Sequence, residues 1–155
     1  MISIAMTTYN GELYIERQLY SILNQTLSAD EIVICDDRSK DKTVEIVKAF
    51  IERTRDRRIL LIENQQNLGY TRNFYKAISM TTGDYIFLAD QDDERHPDKL
   101  ERSLQIMKET GSCAVCTNCG YINQDSLPIS DTGDYDRHPF IYRKKENSRR
   151  FRFLN

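Results

Sequence analysis

Three carboxylates stand within four positions, Asp90-Gln91-Asp92-Asp93, directly after the apolar run Tyr85–Ala89. Folding alone gives no reason to place them so, because neighbouring like charges repel and raise one another's pKa. A hard divalent cation such as Mg²⁺ removes the conflict by taking carboxylate oxygens as ligands. An apolar strand that ends in an Asp-x-Asp pair therefore points to a metal held against a bound phosphate. The competing expectation is a charged loop that caps the following helix.

Other polar clusters also follow apolar runs. Thr7-Thr8-Tyr9-Asn10-Gly11 offers two hydroxyls, a ring that can stack on a nucleobase and a glycine that lets backbone approach closely. Asn10 can equally be the N-cap of the next helix. Asp36 or Asp37 can accept the imide N–H of uracil or thymine, a donor that cytosine lacks at N3. Either can instead cap the helix beginning near Asp41. Asn67, Gly69, Arg72 and Asn73 sit where a helix starts, and backbone N–H groups with an arginine suit anions there. Capping is the stronger expectation for Asn67. His96 is one of two histidines and is given no catalytic role.

The elements that must position these residues can be read from periodicity. Strands are expected at 2–7, 31–35, 59–62, 85–89 and 113–122. The run 13–24 carries Ile15, Leu19, Ile22 and Leu23 on one helical face. Ser39 or Asp41 is expected to cap a second helix with the stripe Val44, Val47 and Ile51. Residues 71–80 form a third helix with Phe74, Ala77 and Ile78 inward. Pro97 opens a fourth, with Leu100, Leu104 and Met107 as its core stripe. Alternation of this kind gives an α/β fold, a mostly parallel sheet with helices on both faces. Ligands of such sheets bind beyond the carboxyl ends of the strands, and every polar cluster above falls there.

The 155 residues suit one domain with a single core, and the net charge is −2. Acidic residues gather in the middle, which argues against nucleic acid lying across that face. Arg137, Arg143, Lys144, Lys145, Arg149, Arg150 and Arg152 make a basic tail. A solvated helix is expected there, with peripheral contact to anionic lipid as the alternative. The apolar start of the chain lacks the basic and long apolar regions of a signal peptide. A cytoplasmic protein, at most attached to the inner face of the membrane, is expected. Cys113, Cys116 and Cys119 alternate faces if extended, so they read with Cys35 as packing residues in a reducing compartment rather than as a metal cluster.

Taken together these motifs resemble family 2 glycosyltransferases of the GT-A (Rossmann-like) fold. The resemblance rests on Thr8-Tyr9-Asn10, Ser21-Ile22-Leu23-Asn24-Gln25-Thr26, Ile34-Cys35-Asp36-Asp37-Arg38-Ser39, Asn67-Leu68-Gly69 with Asn73, and Gly83-Asp84-Tyr85-Ile86 leading to Asp90-Gln91-Asp92-Asp93. It covers roughly 2–125. The form of the acidic run is similar to the branch that includes rhamnosyltransferases of bacterial surface polysaccharide synthesis.

The resemblance implies that Thr7, Tyr9 and Asp37 hold the base and ribose of a UDP- or dTDP-sugar. It assigns Asp90 and Asp92 to Mg²⁺ or Mn²⁺, with Asp92 as the direct ligand. It implies inverting transfer to a hydroxyl acceptor on a glycan or lipid-linked sugar. Residues 1–125 are then a nucleotide-sugar-binding domain. Residues 126–155 are a basic extension where the acceptor-binding half begins. Relatives carry the general base, an Asp or Glu, in that second half. Asp131, Asp134 and Asp136 lie too early to match it, so the base is expected to be absent from this chain. A catalytically incomplete sugar-nucleotide-binding fragment is the alternative. The edge left by the missing half leaves homo-oligomerisation open. A phospho-aspartate domain fits poorly, because its key aspartate follows the first strand, where Thr7-Thr8-Tyr9-Asn10 stands.

Overall fold

The computed structural model describes residues 1–117, 122, 123 and 126, together with the backbone of 141 and 142. The chain divides into two units, Met1–Leu100 and Glu101–Asn155. The first holds a four-stranded sheet in which β1 (Ile2–Thr8), β2 (Glu31–Asp36), β3 (Ile59–Glu63) and β4 (Tyr85–Ala89) run parallel in the order β3-β2-β1-β4. The helices between them are α1 (Ile15–Leu23), α2 (Thr43–Thr54) and α3 (Tyr70–Ser79).

The strands form where apolar residues cluster; the central β1 and β2 are covered on both faces, whereas Ile86 and Leu88 of β4 and Leu60 of β3 are exposed. Side chains alternate between those faces. Ile4 and Met6 of β1, with Ile32 and Ile34 of β2, pack in one core with Ile15, Leu19 and Ile22 of α1 and Val47 and Phe50 of α2. Ala5, Val33 and Cys35 face the other way and pack with Ala77 of α3. The small residues on this second face let α3 lie close to the sheet.

Four expectations are corrected. The inward stripe of α2 is Thr43, Val47 and Phe50, with Val44 and Ile51 half-buried. The helix is turned because Thr43 Oγ1 lies 2.5 Å from Asp41 Oδ1 and 2.7 Å from the Gly11 nitrogen, which draws Thr43 inward. Asn10 does not cap α1, whose N-cap position is Tyr14 without a side-chain bond. Within the strand expected over 113–122, the described Cys113, Cys116 and Thr117 lie outside β5 (Ala114–Val115), which pairs antiparallel with β6 (Ile141–Tyr142). Cys113 and Cys116 are exposed rather than packed, whereas Cys35 is buried. The fourth helix, α4 (Lys99–Thr110), starts two residues after Pro97, and its Leu100 and Leu104 are buried. Cys119, the basic tail and Asp131, Asp134 and Asp136 lie outside the described residues. Among the described residues no helix is long and apolar enough to cross a membrane.

Several surface carboxylates hold loops in place. Burial works against ionisation of Asp41, but hydrogen bonds from Thr43 and the Glu12 N–H prevail and lower its pKa. Glu31 behaves alike, with Ser3 and Thr82 as donors. Arg58 lowers the pKa of Asp56 through paired hydrogen bonds. A carboxylate with a depressed folded pKa contributes stability that is complete above its unfolded pKa and is lost as pH falls through the folded one. The urea midpoint is therefore expected to fall on acidification below about pH 5. Urea titrations across that range check this, and a midpoint that rises on acidification contradicts it.

Candidate functional site

The carboxyl ends of the four parallel strands are stitched together by side chains. Between β1 and β2, Thr8 Oγ1 donates to Asp36 Oδ2 at 2.7 Å. The Asn10 N–H donates to Ser39 Oγ, and Asn10 Oδ1 accepts the Lys40 N–H. Asn10 has φ 50°, in the left-handed region that asparagine tolerates. The Glu12 N–H donates to Asp41 Oδ2, and Asp41 Oδ1 accepts the Thr43 N–H at the start of α2. The N-cap position of α2 is Lys42, and the side chain that takes the first helical N–H is that of Asp41, one residue earlier, rather than Ser39, Asp36 or Asp37.

Asp36 is 1% exposed and engaged by Thr8, by the Ser39 N–H and by Ser39 Oγ. Asp37 reaches across to the segment after β3. Its Oδ1 accepts from Asn64 Nδ2 at 2.8 Å and the Leu68 N–H at 2.7 Å, and its Oδ2 accepts the Gly69 N–H at 2.8 Å. A carboxylate has about four acceptor positions, so one on Oδ2 remains for a further donor. Asn67 braces the same turn, donating to the Asp37 carbonyl and accepting the Gly69 N–H. Gly69 has φ 78° at the N-cap of α3, a conformation glycine adopts without strain.

Beneath this turn runs a buried polar chain. Asn64 Nδ2 also bonds Asn73 Oδ1, Asn73 Nδ2 bonds the Cys35 carbonyl, and Lys76 Nζ donates to Asn64 Oδ1 at 2.7 Å. The ammonium fixes which way the Asn64 amide faces, and so turns its NH2 towards Asp37. Asn73 is thus a structural support at 2% exposure, while Arg72 is exposed in the first turn of α3. A cavity of about 590 Å³ lined by Glu63, Asn64, Gln65, Gln66, Leu68 and Lys76 adjoins the chain.

The acidic turn after β4 is held on the same rim. Gln91 Oε1 accepts the Tyr9 N–H at 2.7 Å, and Gln91 Nε2 donates to the Tyr9 carbonyl at 3.0 Å. Tyr9 is 45% exposed at the tip of β1. Three polar residues of α1 and the turn after it then support the segment in order. Gln18 Nε2 donates to the Asp90 carbonyl, Ser21 Oγ accepts the Arg95 N–H, and Gln25 bonds the His96 carbonyl and the Leu100 N–H. This explains the chemistry of the Ser21–Gln25 stretch. The Arg95 guanidinium bonds the Leu88 carbonyl, and its buried Nε has no partner among the described residues.

Asp90 is half-buried, and Asp92 and Asp93 are exposed. Burial raises the pKa of Asp90, the Tyr70 hydroxyl bonding it at 3.2 Å opposes this, and Asp93 and Asp92 raise it further. Such a site gains from a cation. Among the described residues no group of three His, Cys, Asp or Glu side chains converges into a complete cage. The carboxylates of the acidic turn are oxygen donors of the kind that hard cations take. Mg²⁺ typically takes one or two carboxylates and completes its shell with phosphate oxygens and water.

The structure thus brings Thr7, Tyr9, Asn10, Asp36, Asp37, Asn67, Gly69, Arg72, Asn73, Asp90 and Asp92 to one rim. It buries Thr7, Asp36, Asp37 and Asn73 as its frame. Sequence reasoning assigned no role to Gln18, Gln25, Asn64, Tyr70, Lys76 or Gln91. A usable signal existed for Gln18, which falls on the apolar face of α1 between Ile15 and Ile22.

The chain matches the model of glycosyl transferase family 2 over residues 3–154. An uncharacterized glycosyltransferase of Haemophilus influenzae is 35% identical over 122 residues, covering 75% of this chain and 48% of that protein. The hyaluronan synthase of Pasteurella multocida is 33% identical over 133 residues, 84% of this chain and 13% of that protein. S. aureus TarS 1-349 in complex with UDP superposes with a TM-score of 0.67 at 25% identity, covering 83% of this chain and 38% of that one. The mannosyltransferase PcManGT from Pyrobaculum calidifontis, in complex with GDP-Man and Mn²⁺, gives a TM-score of 0.69 at 23% identity over 77% of this chain and 35% of that one. At that identity the second likeness speaks for the fold alone, which is GT-A. The chain spans about half the length of the Haemophilus protein and less of the others. By the match along nearly its whole length, the chain belongs to glycosyl transferase family 2.

Proposed function

We propose that the rim binds a UDP- or dTDP-sugar together with Mg²⁺ or Mn²⁺, as the donor site of an inverting glycosyl transfer. The observation that carries this reading is that, at one end of one sheet, Gln91 of the acidic turn bonds exposed Tyr9, while Tyr70, next to the Asp37-anchored Gly69, bonds Asp90. The UDP complex of TarS supports the choice of nucleotide. Tyr9 stacks on the base, and the remaining acceptor position of Asp37 takes its imide N–H. Thr7 lies at the ribose. Arg72 and the start of α3 face the diphosphate. Asp90 and Asp92 are the cation's ligands. When bound, the cation supplies Lewis-acid stabilisation of the leaving diphosphate. Transfer passes through a transition state with oxocarbenium character, as glycoside hydrolysis does. No described residue is assigned as general base.

The acceptor in this reading is a hydroxyl of a glycan or lipid-linked sugar in cell-surface polysaccharide synthesis, met at the cytoplasmic face of the membrane. The alternative reading is nucleotide-sugar binding without transfer. Calorimetry with UDP tests what the two share. Binding with Mn²⁺ is expected to be at least about tenfold tighter than in EDTA, since losing even an outer-shell partner costs a metal site about that much. Equal affinity in EDTA contradicts the cation's role. CDP is expected to bind more weakly than UDP, because the cytosine ring has no N3 donor for Asp37. Release of UDP from a UDP-sugar in the presence of a hydroxyl acceptor separates transfer from binding alone.

A further inference from the structure

The middle residue of the Asp-x-Asp pair has a second task. The main-chain ladder between β1 and β4 ends at Met6 and Ala89. Beyond it, the Gln91 side-chain amide takes over as a substitute peptide. Its Oε1 accepts the Tyr9 N–H at 2.7 Å and its Nε2 donates to the Tyr9 carbonyl at 3.0 Å. Both groups of one peptide-like unit thus grip the main chain of the residue that carries the exposed ring. The opposite side of the acidic turn is fixed by Gln18, which is fully buried and donates to the Asp90 carbonyl at 2.9 Å.

Gly11 completes the arrangement. Its φ is not in the left-handed region, so backbone conformation does not demand glycine there. Space does. A Cβ at Gly11 would stand 2.3 Å from Gln91 Oε1 and 2.5 Å from its Cδ. Gly11 and Gln91 are therefore a matched pair: the glycine leaves room for the amide that holds Tyr9.

We infer that Gln91 is a positioning residue that fixes Tyr9 relative to Asp90 and Asp92, so that base stacking and cation binding share one rigid frame. The inference rests on the nucleotide reading above and adds a residue that touches neither base nor metal. It also makes a distinctive claim. Loss of a metal ligand weakens UDP only when the metal is there. Loss of Gln91 weakens UDP whether or not it is.

The test uses the whole 155-residue chain. UDP affinity is measured by NMR titration in EDTA and by calorimetry with Mn²⁺, for wild type, Gln91→Met, Gly11→Ala and the double variant. Methionine keeps the length and removes both hydrogen bonds. Gln91→Met is expected to weaken UDP about tenfold in both conditions, the loss expected for one to two hydrogen bonds. Gly11→Ala is expected to reproduce the loss by displacing the amide, and the double variant to be no weaker than the weaker single one. Asp92→Asn is the control that loses affinity only with Mn²⁺. A Gln91→Met protein that binds UDP like wild type in EDTA overturns the inference while leaving the nucleotide reading intact. So do two single losses that multiply in the double variant. Wild-type protein that takes up no UDP in either condition overturns the nucleotide reading, and this inference with it. Thermal unfolding of each variant shows whether a loss reflects unfolding, and in that case Gly11→Ala alone, measured below its melting temperature, decides.

Discussion

Asp37→Ala is expected to lower the unfolding free energy by about 2–4 kcal/mol, because one buried and two half-buried donors lose a charged acceptor at about 1–3 kcal/mol each, with relief from water and, for the Gly69 N–H, from Asn67 Oδ1. The donors are Asn64 Nδ2 and the N–H groups of Leu68 and Gly69, all within 2.8 Å of a carboxylate that is 3% exposed. A loss of this size belongs to broken buried networks rather than to surface substitutions. Chemical denaturation in urea measures it. A wild-type midpoint contradicts the anchoring role of Asp37. The Lys76 ammonium acts one step behind, through Asn64, so its removal is expected to cost less.

Asp90→Asn is expected to move stability and binding in opposite directions. Burial first, then the charges of Asp93 and Asp92, raise the pKa of Asp90 against the opposing Tyr70 hydroxyl. A carboxyl whose folded pKa is raised is easier to protonate in the fold than in the unfolded chain. Its ionisation therefore costs stability, and the cost appears as pH rises through the raised value. At neutral pH without metal, a neutral amide in its place is expected to raise the melting temperature. The same change removes a proposed cation ligand, and UDP affinity with Mn²⁺ is expected to fall more than about tenfold. Thermal unfolding in EDTA and calorimetry with Mn²⁺ read the two effects. A variant that melts below wild type in EDTA contradicts the like-charge account of the turn.

Both predictions concern a strained or over-determined rim on an ordinary core, and the same division decides what could be read from the sequence. The strands were legible because each is a short apolar run bounded by polar residues, buried past the first residue in the central β1 and β2 and half-buried or buried on alternate residues in β4. Tyr85–Ala89 is bounded as expected, and the other three core strands agree to within one residue. The helix stripe Ile15, Leu19 and Ile22 was legible from its spacing alone. The acidic turn was legible because its charge pattern has no folding rationale.

The supports of the rim were not legible in the same way. Gln18 and Gln25 are polar residues whose partners are main-chain groups some 70 positions away (72 for Gln18, 71 for Gln25). Periodicity reports which face a residue occupies, and cannot report such a partner. Asn73 looked like part of a helix-start cluster and Lys76 carried no signal, and only the fold shows that with Asn64 they form the chain that holds Asp37. Asn10 and Ser39 looked like helix caps because local and long-range bonds draw on the same residue types. In the run 113–122 the described Cys113, Cys116 and Thr117 are exposed and lie outside β5, so apolar type there did not mark packing.

The account as a whole is tested most directly by where Mn²⁺ sits when UDP is bound. Paramagnetic broadening of amide resonances in ¹⁵N-labelled protein, recorded on adding Mn²⁺ to the UDP-saturated chain, reports that position. The expected pattern is broadening centred on Asp90–Asp93, reaching Tyr9 and the Gly69–Tyr70 turn, and fading towards the far end of the sheet. Broadening centred instead on Glu63 to Gln66, or spread evenly over the surface carboxylates, would contradict it.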